Sequence, residues 1–225
     1  MTLIVTPTST TDAYGPLLGA DTARDAIKAT LQLWTPSYIA AISAARGLPA
    51  SGAGSMKPVQ DWTIRPEYRT LPVSSSPAIL VTCPGTVKGK APTIHGDGNI
   101  RADWLTEVSI VVFGDDWEPT ADLTTRYATA VRAAILQHRS LNGVALNTVW
   151  LGEQYAEVEH SSTRTLGVAV IHFAVTLDAV MNVQAGPITP PIAPAIAYPL
   201  PDNPRVKTKG ATATVTNTRP TRSVP

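Results

Sequence analysis

Seven prolines fall between Pro187 and Pro204, and that density limits what the chain can fold into. Proline lacks an amide hydrogen and has a fixed φ, so such a run enters neither a helix nor the interior of a sheet. Residues 183–225 are therefore expected to form an extended, polyproline-type arm. Its expected partner-binding residues are Pro190, Pro191, Tyr198, Arg205, Lys207 and Lys209. Residues 1–16 are rich in Thr, with Pro7 and Gly15, and read as a second arm. The core must come from residues 17–182. With 44% hydrophobic residues in a chain of 225, that stretch suffices for one domain.

The patterning within 17–182 is that of an α+β domain. Ala23, Ile27, Leu31 and Trp34 recur at helical spacing behind Asp21 and Thr22, two residues suited to an N-cap. Thr35-Pro36 reads as the cap and first residue of a second short helix ending at Gly47, or else as a kink in one helix. A strand is expected over 78–83, ended by Pro84-Gly85, and a long hairpin connection over 84–101 containing the turn-like Gly96-Asp97-Gly98-Asn99. Val108, Ile110 and Val112 alternate with polar residues in a half-buried strand over 104–113. Leu123, Tyr127, Val131, Ala134, Ile135 and His138 form one face of the main helix. Thr120 is its expected cap, and Asn142-Gly143 its stop. Strands over 146–158 and 166–179 pair through the turn 160–164, with Ile171, Phe173, Val175 and Leu177 on one face. The expected order is α(α)ββαββ: N-terminal helices and one main helix packed on an antiparallel β-sheet.

The net charge of +1 points to no nucleic-acid or membrane partner. The charge is unevenly placed. From Val183 onward Arg205, Lys207, Lys209, Arg219 and Arg222 face Asp202 alone, which leaves residues 1–182 at −3. A single cysteine, Cys83, excludes an internal disulfide. The stretch Met1 to Pro7 lacks the basic and apolar regions of a signal peptide, and no apolar run is long enough to span a bilayer. The expected place of synthesis is a reducing cytoplasm.

Motifs that carry chemistry are weak throughout. Gly85 to Ala91 approaches a phosphate-binding loop but is one residue short, lacks the hydroxyl residue after lysine and runs into Pro92. Gly96 to Arg101 begins like a dinucleotide fingerprint but ends in arginine. His95 beside Asp97 invites an acid/base or metal reading, yet His138, His160 and His172 are scattered without ligand spacing. Cys83 beside Pro84 reads as a small buried residue. Glu153, Glu157 and Glu159 share one face of a strand and could do acid/base work; a charged edge that discourages strand pairing is the plainer reading. Arg126, Arg132 and Arg139 lie on the polar side of the main helix, either facing water or meeting such acids across a subunit boundary. No catalytic residue, cofactor or metal is expected.

Three stretches carry a resemblance. AIKATLQLWTPSYIAAISAARGLP (Ala26 to Pro49), YRTLPVSSSPAILVTCPGT (Tyr68 to Thr86) and GDGNIRADWLTEVSIVVFGDD (Gly96 to Asp116) resemble tail terminator proteins of long-tailed actinobacterial phages. The likeness covers roughly residues 20–180 and lies in the placement of helices, hairpin and aromatics. It implies a structural virion protein at the tail–neck junction, assembled in the host cytoplasm. Its partners would be itself as a homo-hexamer, the tail tube protein, and the head–neck connector or stopper, with DNA passing through the ring. A ring needs heterologous interfaces that close after rotation. Trp104, Trp117, Arg126, Arg132, Glu153, Glu157 and Glu159 are the expected subunit contacts, with Trp62 and Trp150 as further aromatic candidates. The loop carrying Lys88, Lys90, His95, Asp97 and Arg101 is expected to project toward the lumen or an axial neighbour, where its cations would ease DNA passage. Rivals are another neck or tail tube subunit, a surface adaptor or carbohydrate-binding module, and a small hydrolase, which would need Cys83, His95 and Asp97 in one pocket.

Overall fold

A computed structural model describes residues 17–52, 54–63, 71–161 and 164–182, with backbone alone at 157–161 and 164. The expected arms 1–16 and 183–225 therefore lie outside the described residues, as do residues 162–163 of the expected turn 160–164. The described residues are α+β: two helices and a six-stranded, mostly antiparallel sheet.

Helix α1 (Ala20–Ala45) is one unbroken helix with Pro36 inside it. This corrects the two-helix reading: Thr35 is no cap but a buried residue of the helix interior. Ile27, Leu31, Thr35 and Ile39 fall four apart on one buried stripe, and burying that stripe outweighs the one backbone bond that proline removes. The helix starts one residue ahead of the expected caps. Gly19 is the N-cap, and its N–H donates to Thr22 Oγ1 at 3.3 Å. At the other end Gly47 takes φ +61, its N–H donating to the Ala44 carbonyl while Leu48 N–H donates to Ser43. That pair of bonds is a Schellman motif.

The sheet runs β1 (Asp61–Thr63), β2 (Ala78–Thr86), β4 (Ile100–Gly114), β6 (Arg164–Leu177), β5 (Asn147–Ser161), with β3 (Thr93–Ile94) paired to the start of β4. Only β1 is parallel to its neighbour. Sequence patterning alone missed β1 and β3. It also ended β2 too early: the strand passes through Pro84 by a register shift between Thr82 and Gly85, the usual way an edge-like proline enters a strand.

Helix α2 (Trp117–Gln137) lies on the same sheet face as α1. Its N-cap is Asp116, not Thr120, which sits one turn inside and is buried. Between them the helices and sheet enclose Ile27, Leu31, Ile79, Val108, Ile110, Tyr127, Val131, Ile135, Ile171, Phe173 and Val175. Tyr127 donates from its hydroxyl to the Lys57 carbonyl at 2.7 Å, and burial pushes its phenol up to about 12. Buried threonines of α2 are satisfied by the preceding turn: Thr124 Oγ1 donates to the Thr120 carbonyl at 2.8 Å. The opposite sheet face carries a smaller buried cluster, Ala78, Leu80, Val111, Leu166 and Val168.

Candidate functional site

The described chemistry concentrates in two places: the hairpin end of the sheet and the free edge of β5.

At the hairpin end, the loop expected to project is tied to its own domain by polar contacts. Lys90 Nζ lies 3.0 Å from Asp103 Oδ2. Arg101 reaches both oxygens of Asp178 at 3.2 Å, and His95 Nε2 stands 4.0 Å from the same carboxylate. Asp97 accepts from the backbone and side-chain nitrogens of Asn99, and Asn182 Nδ2 donates to the Asp97 carbonyl at 3.3 Å. Lys88 is exposed on the β2–β3 connection. The cations Lys90 and Arg101 are thus matched by carboxylates of the same chain. The hairpin packs by salt bridges and backbone bonds rather than on the hydrophobic core.

The electrostatics follow from these contacts. The Arg101 guanidinium holds the Asp178 carboxyl below the ordinary carboxylate range. Desolvation pushes Asp103 up, but hydrogen bonds from Thr176 and Lys90 outweigh it and bring the net shift down. A depressed folded-state pKa contributes stability above the unfolded value of ~3.9 and loses it as pH falls through the folded value. Acidification below about pH 4 is therefore expected to loosen the β3–β4 hairpin while α1 and α2 stay protected. Because Asp178 is half exposed, the effect should be under about 1 kcal/mol. Hydrogen exchange at His95, whose N–H donates to the Asn99 carbonyl, and at Ile100, whose N–H donates to Met181, reads it, and Asp178→Asn should mimic it at neutral pH. Unchanged protection in both cases would contradict the assignment.

Cys83 does not join His95 and Asp97. It packs against the main core, its thiol 3.8 Å from the Gly85 carbonyl, and burial raises its pKa. Thiolate chemistry needs the opposite shift. His172 faces Glu107 at 3.5 Å across the β4–β6 pair, and His138 stacks on Trp34 with centroids 3.9 Å apart. Among the described residues no three His, Cys, Asp or Glu gather where they could hold a metal. No described helix is long and apolar enough to cross a membrane.

The second place is β5. It closes one side of the sheet order, so one of its backbone edges has no strand neighbour among the described elements. A register shift between Trp150 and Gly152 makes Leu151 the extra residue of a bulge. Val149, Trp150, Leu151 and Tyr155 are 44%, 41%, 47% and 47% exposed, four large apolar side chains within seven positions of one edge. Beside them Arg132 reaches across from α2. Its guanidinium lies 2.6 Å from Glu153 Oε1 and 5.1 Å from the centre of the Trp150 side chain. Tyr155 donates to the same Glu153 oxygen at 3.0 Å, and Glu153 Oε2 is buried without a hydrogen-bond partner among the described residues. Arg132 and Glu153 thus meet within one subunit, not across a boundary. They fix the side chains that flank the exposed edge.

The other candidates divide. Trp117 is 57% exposed at the start of α2, whereas Trp104 and Trp62 are half-buried and pack against the main core. Arg126 pairs with Asp122 one turn away at 3.0 Å. Glu157 and Glu159 lie on β5 opposite Gly167 and Thr165, with their side chains outside the description. The bulge and the aromatic cluster around Arg132 were not foreseen. Gly152, placed amid apolar residues of a strand, was the available signal.

No protein-family model matches this chain, and no curated protein matches it.

Proposed function

We propose that this chain is a structural subunit: a tail terminator of a long-tailed phage that forms a ring on the end of the tail tube, stops its growth and joins it to the head–neck connector. The observation that supports this reading is the open edge of β5. A strand of 15 residues with one backbone edge unpaired among the described elements and four exposed apolar side chains is a template for another chain. Proteins that stay single blunt such edges with charge, proline, a bulge or a covering element. β5 carries a bulge and three glutamates, yet Val149, Trp150, Leu151 and Tyr155 leave an apolar stretch on it, and Trp, Tyr and Arg, the residue types that dominate interface energetics, sit together there. The opposite border, β1, has only three residues. The two borders therefore differ, as a head-to-tail, ring-closing contact requires.

The hexamer, the tube contact and the connector contact come from the family resemblance, and DNA passing through the ring would meet it weakly and in a salt-sensitive way. Negative-stain images of the purified protein mixed with tail tubes test the reading. A sixfold annulus on tube ends is expected. Single compact particles that ignore tubes would overturn it.

A further inference from the structure

The open edge of β5 raises the question of what completes it, and the sequence beyond the described residues contains a stretch with the pattern of a strand. Thr208 to Arg219 reads TKGATATVTNTR. Ala211, Ala213 and Val215 alternate with Thr212, Thr214, Thr216 and Thr218, a period of two with β-branched residues at most polar positions. It is the one stretch of the C-terminal arm free of proline over such a length: Pro204 precedes it and Pro220 follows. A strand needs every second N–H for its ladder, which the preceding Pro-rich run cannot supply.

Charge supports the match. Lys207, Lys209 and Arg219 stand at the ends of this stretch, while β5 carries Glu157 and Glu159 besides the Arg132-paired Glu153. Length permits it as well. Residues 183–206 put 24 residues between Asn182 and Lys207, a length that would span up to about 70 Å if extended as polyproline. That exceeds the diameter of a small domain (~30 Å), so the segment can reach a neighbouring subunit.

We propose that Lys207 to Arg219 of one copy adds as a strand to the β5 edge of the next copy, so that each ring member is stapled to its neighbour by its own arm. The inference rests on the ring reading and names the occupant of its interface. Backbone hydrogen bonds give such strand addition its affinity, and alternate side chains give it register. The small Ala213 and Val215 side chains would lie along the exposed apolar residues of β5, with the threonines on the other side of the extended sheet.

Two measurements on the full-length chain test this. In the first, equal amounts of 14N- and 15N-labelled protein are assembled, and lysine amines in contact with carboxylates are joined by a carbodiimide. Mass spectrometry should find Lys207 or Lys209 linked to a β5 glutamate of a differently labelled chain. In the second, Ala213→Pro/Val215→Pro should leave the monomer's circular dichroism and melting unchanged but weaken ring formation at least tenfold. Rings that form normally with both prolines, or links found only within single chains, would overturn the strand-addition proposal and leave the ring reading standing. No rings from the unmodified chain, with or without tubes, would overturn the ring reading and this inference with it.

Discussion

Gly167→Val should destabilise the domain by about 3 kcal/mol, the upper part of the range for forcing extra carbons into a packed core. The reason is how closely α2 approaches the sheet. A Cβ at Gly167 would overlap the Thr124 hydroxyl and come within 3.2 Å of Thr120 Cγ2, and a Cβ at Gly114 on the neighbouring strand would overlap the Thr120 hydroxyl. Gly114 and Gly167 lie on adjacent strands, where Val112 pairs with Gly167 and Gly114 with Thr165. The missing side chains open a trough in which two threonines of α2 rest, their hydroxyls turned back to the Asp116 and Thr120 carbonyls. Gly167 has no left-handed φ, so the cost of valine is one of packing, not of backbone strain. For a domain of this size ~3 kcal/mol corresponds to a melting shift of roughly 10 °C. Thr124→Ala should recover part of the loss, because the clash is with that hydroxyl, and the two substitutions should couple by about 1 kcal/mol or more. Urea unfolding of the single and double variants measures both numbers. A Gly167→Val protein as stable as the parent would mean that α2 does not seat on β6 in this way.

The contact behind that prediction could not be read from the sequence, although most of the elements could. The amphipathic face of α2 and the alternation of β6 were legible because single-face burial imposes a period, and Tyr127, Val131, Ala134, Ile135, Ile171, Phe173, Val175 and Leu177 all occupy the core as patterned. Boundaries were less legible because local signals lost to burial. Thr35-Pro36 has the form of a helix start, yet α1 continues through it since Thr35 and Ile39 extend the stripe of Ile27 and Leu31. Pro84-Gly85 has the form of a strand end, yet a bulge absorbs it. Within the candidate site, the patterning puts Glu153 on a charged edge and Arg132 on the polar side of α2, whereas in the structure the two are largely buried and paired with each other. Their pairing depends on α2 lying beside β5, a matter of layer packing that no local pattern encodes. Leu151 looked like one more apolar strand residue. Only the register shift next to Gly152 reveals that it is an extra residue, on the strand at the margin of the sheet.

That margin is where the second large effect should appear. Val149→Lys/Leu151→Lys places two charges on the open edge of β5, the same device by which soluble proteins blunt such strands. Both side chains are about half exposed in the subunit, at 44% and 47%, so the fold should lose no more than about 1 kcal/mol. The Arg132–Glu153–Tyr155 cluster is left intact. A neighbour seated on this edge, by contrast, would have to desolvate both ammonium groups without partners. Losses on the order of 2 kcal/mol per contact, about 30-fold in affinity, are expected for residues at the centre of an interface. In a closed ring that penalty recurs at every boundary, so assembly should fail outright at concentrations where the parent chain caps tubes. Light scattering of the purified variant and images of tubes incubated with it give the answer. The decisive pattern is a folded, monomeric variant with an unchanged melting curve and bare tube ends. Rings of normal size from a chain with lysine at both positions would show that β5 faces solvent in the assembly. Subunit closure would then have to run through another surface, for which exposed Trp117 at the start of α2 is the next large apolar candidate.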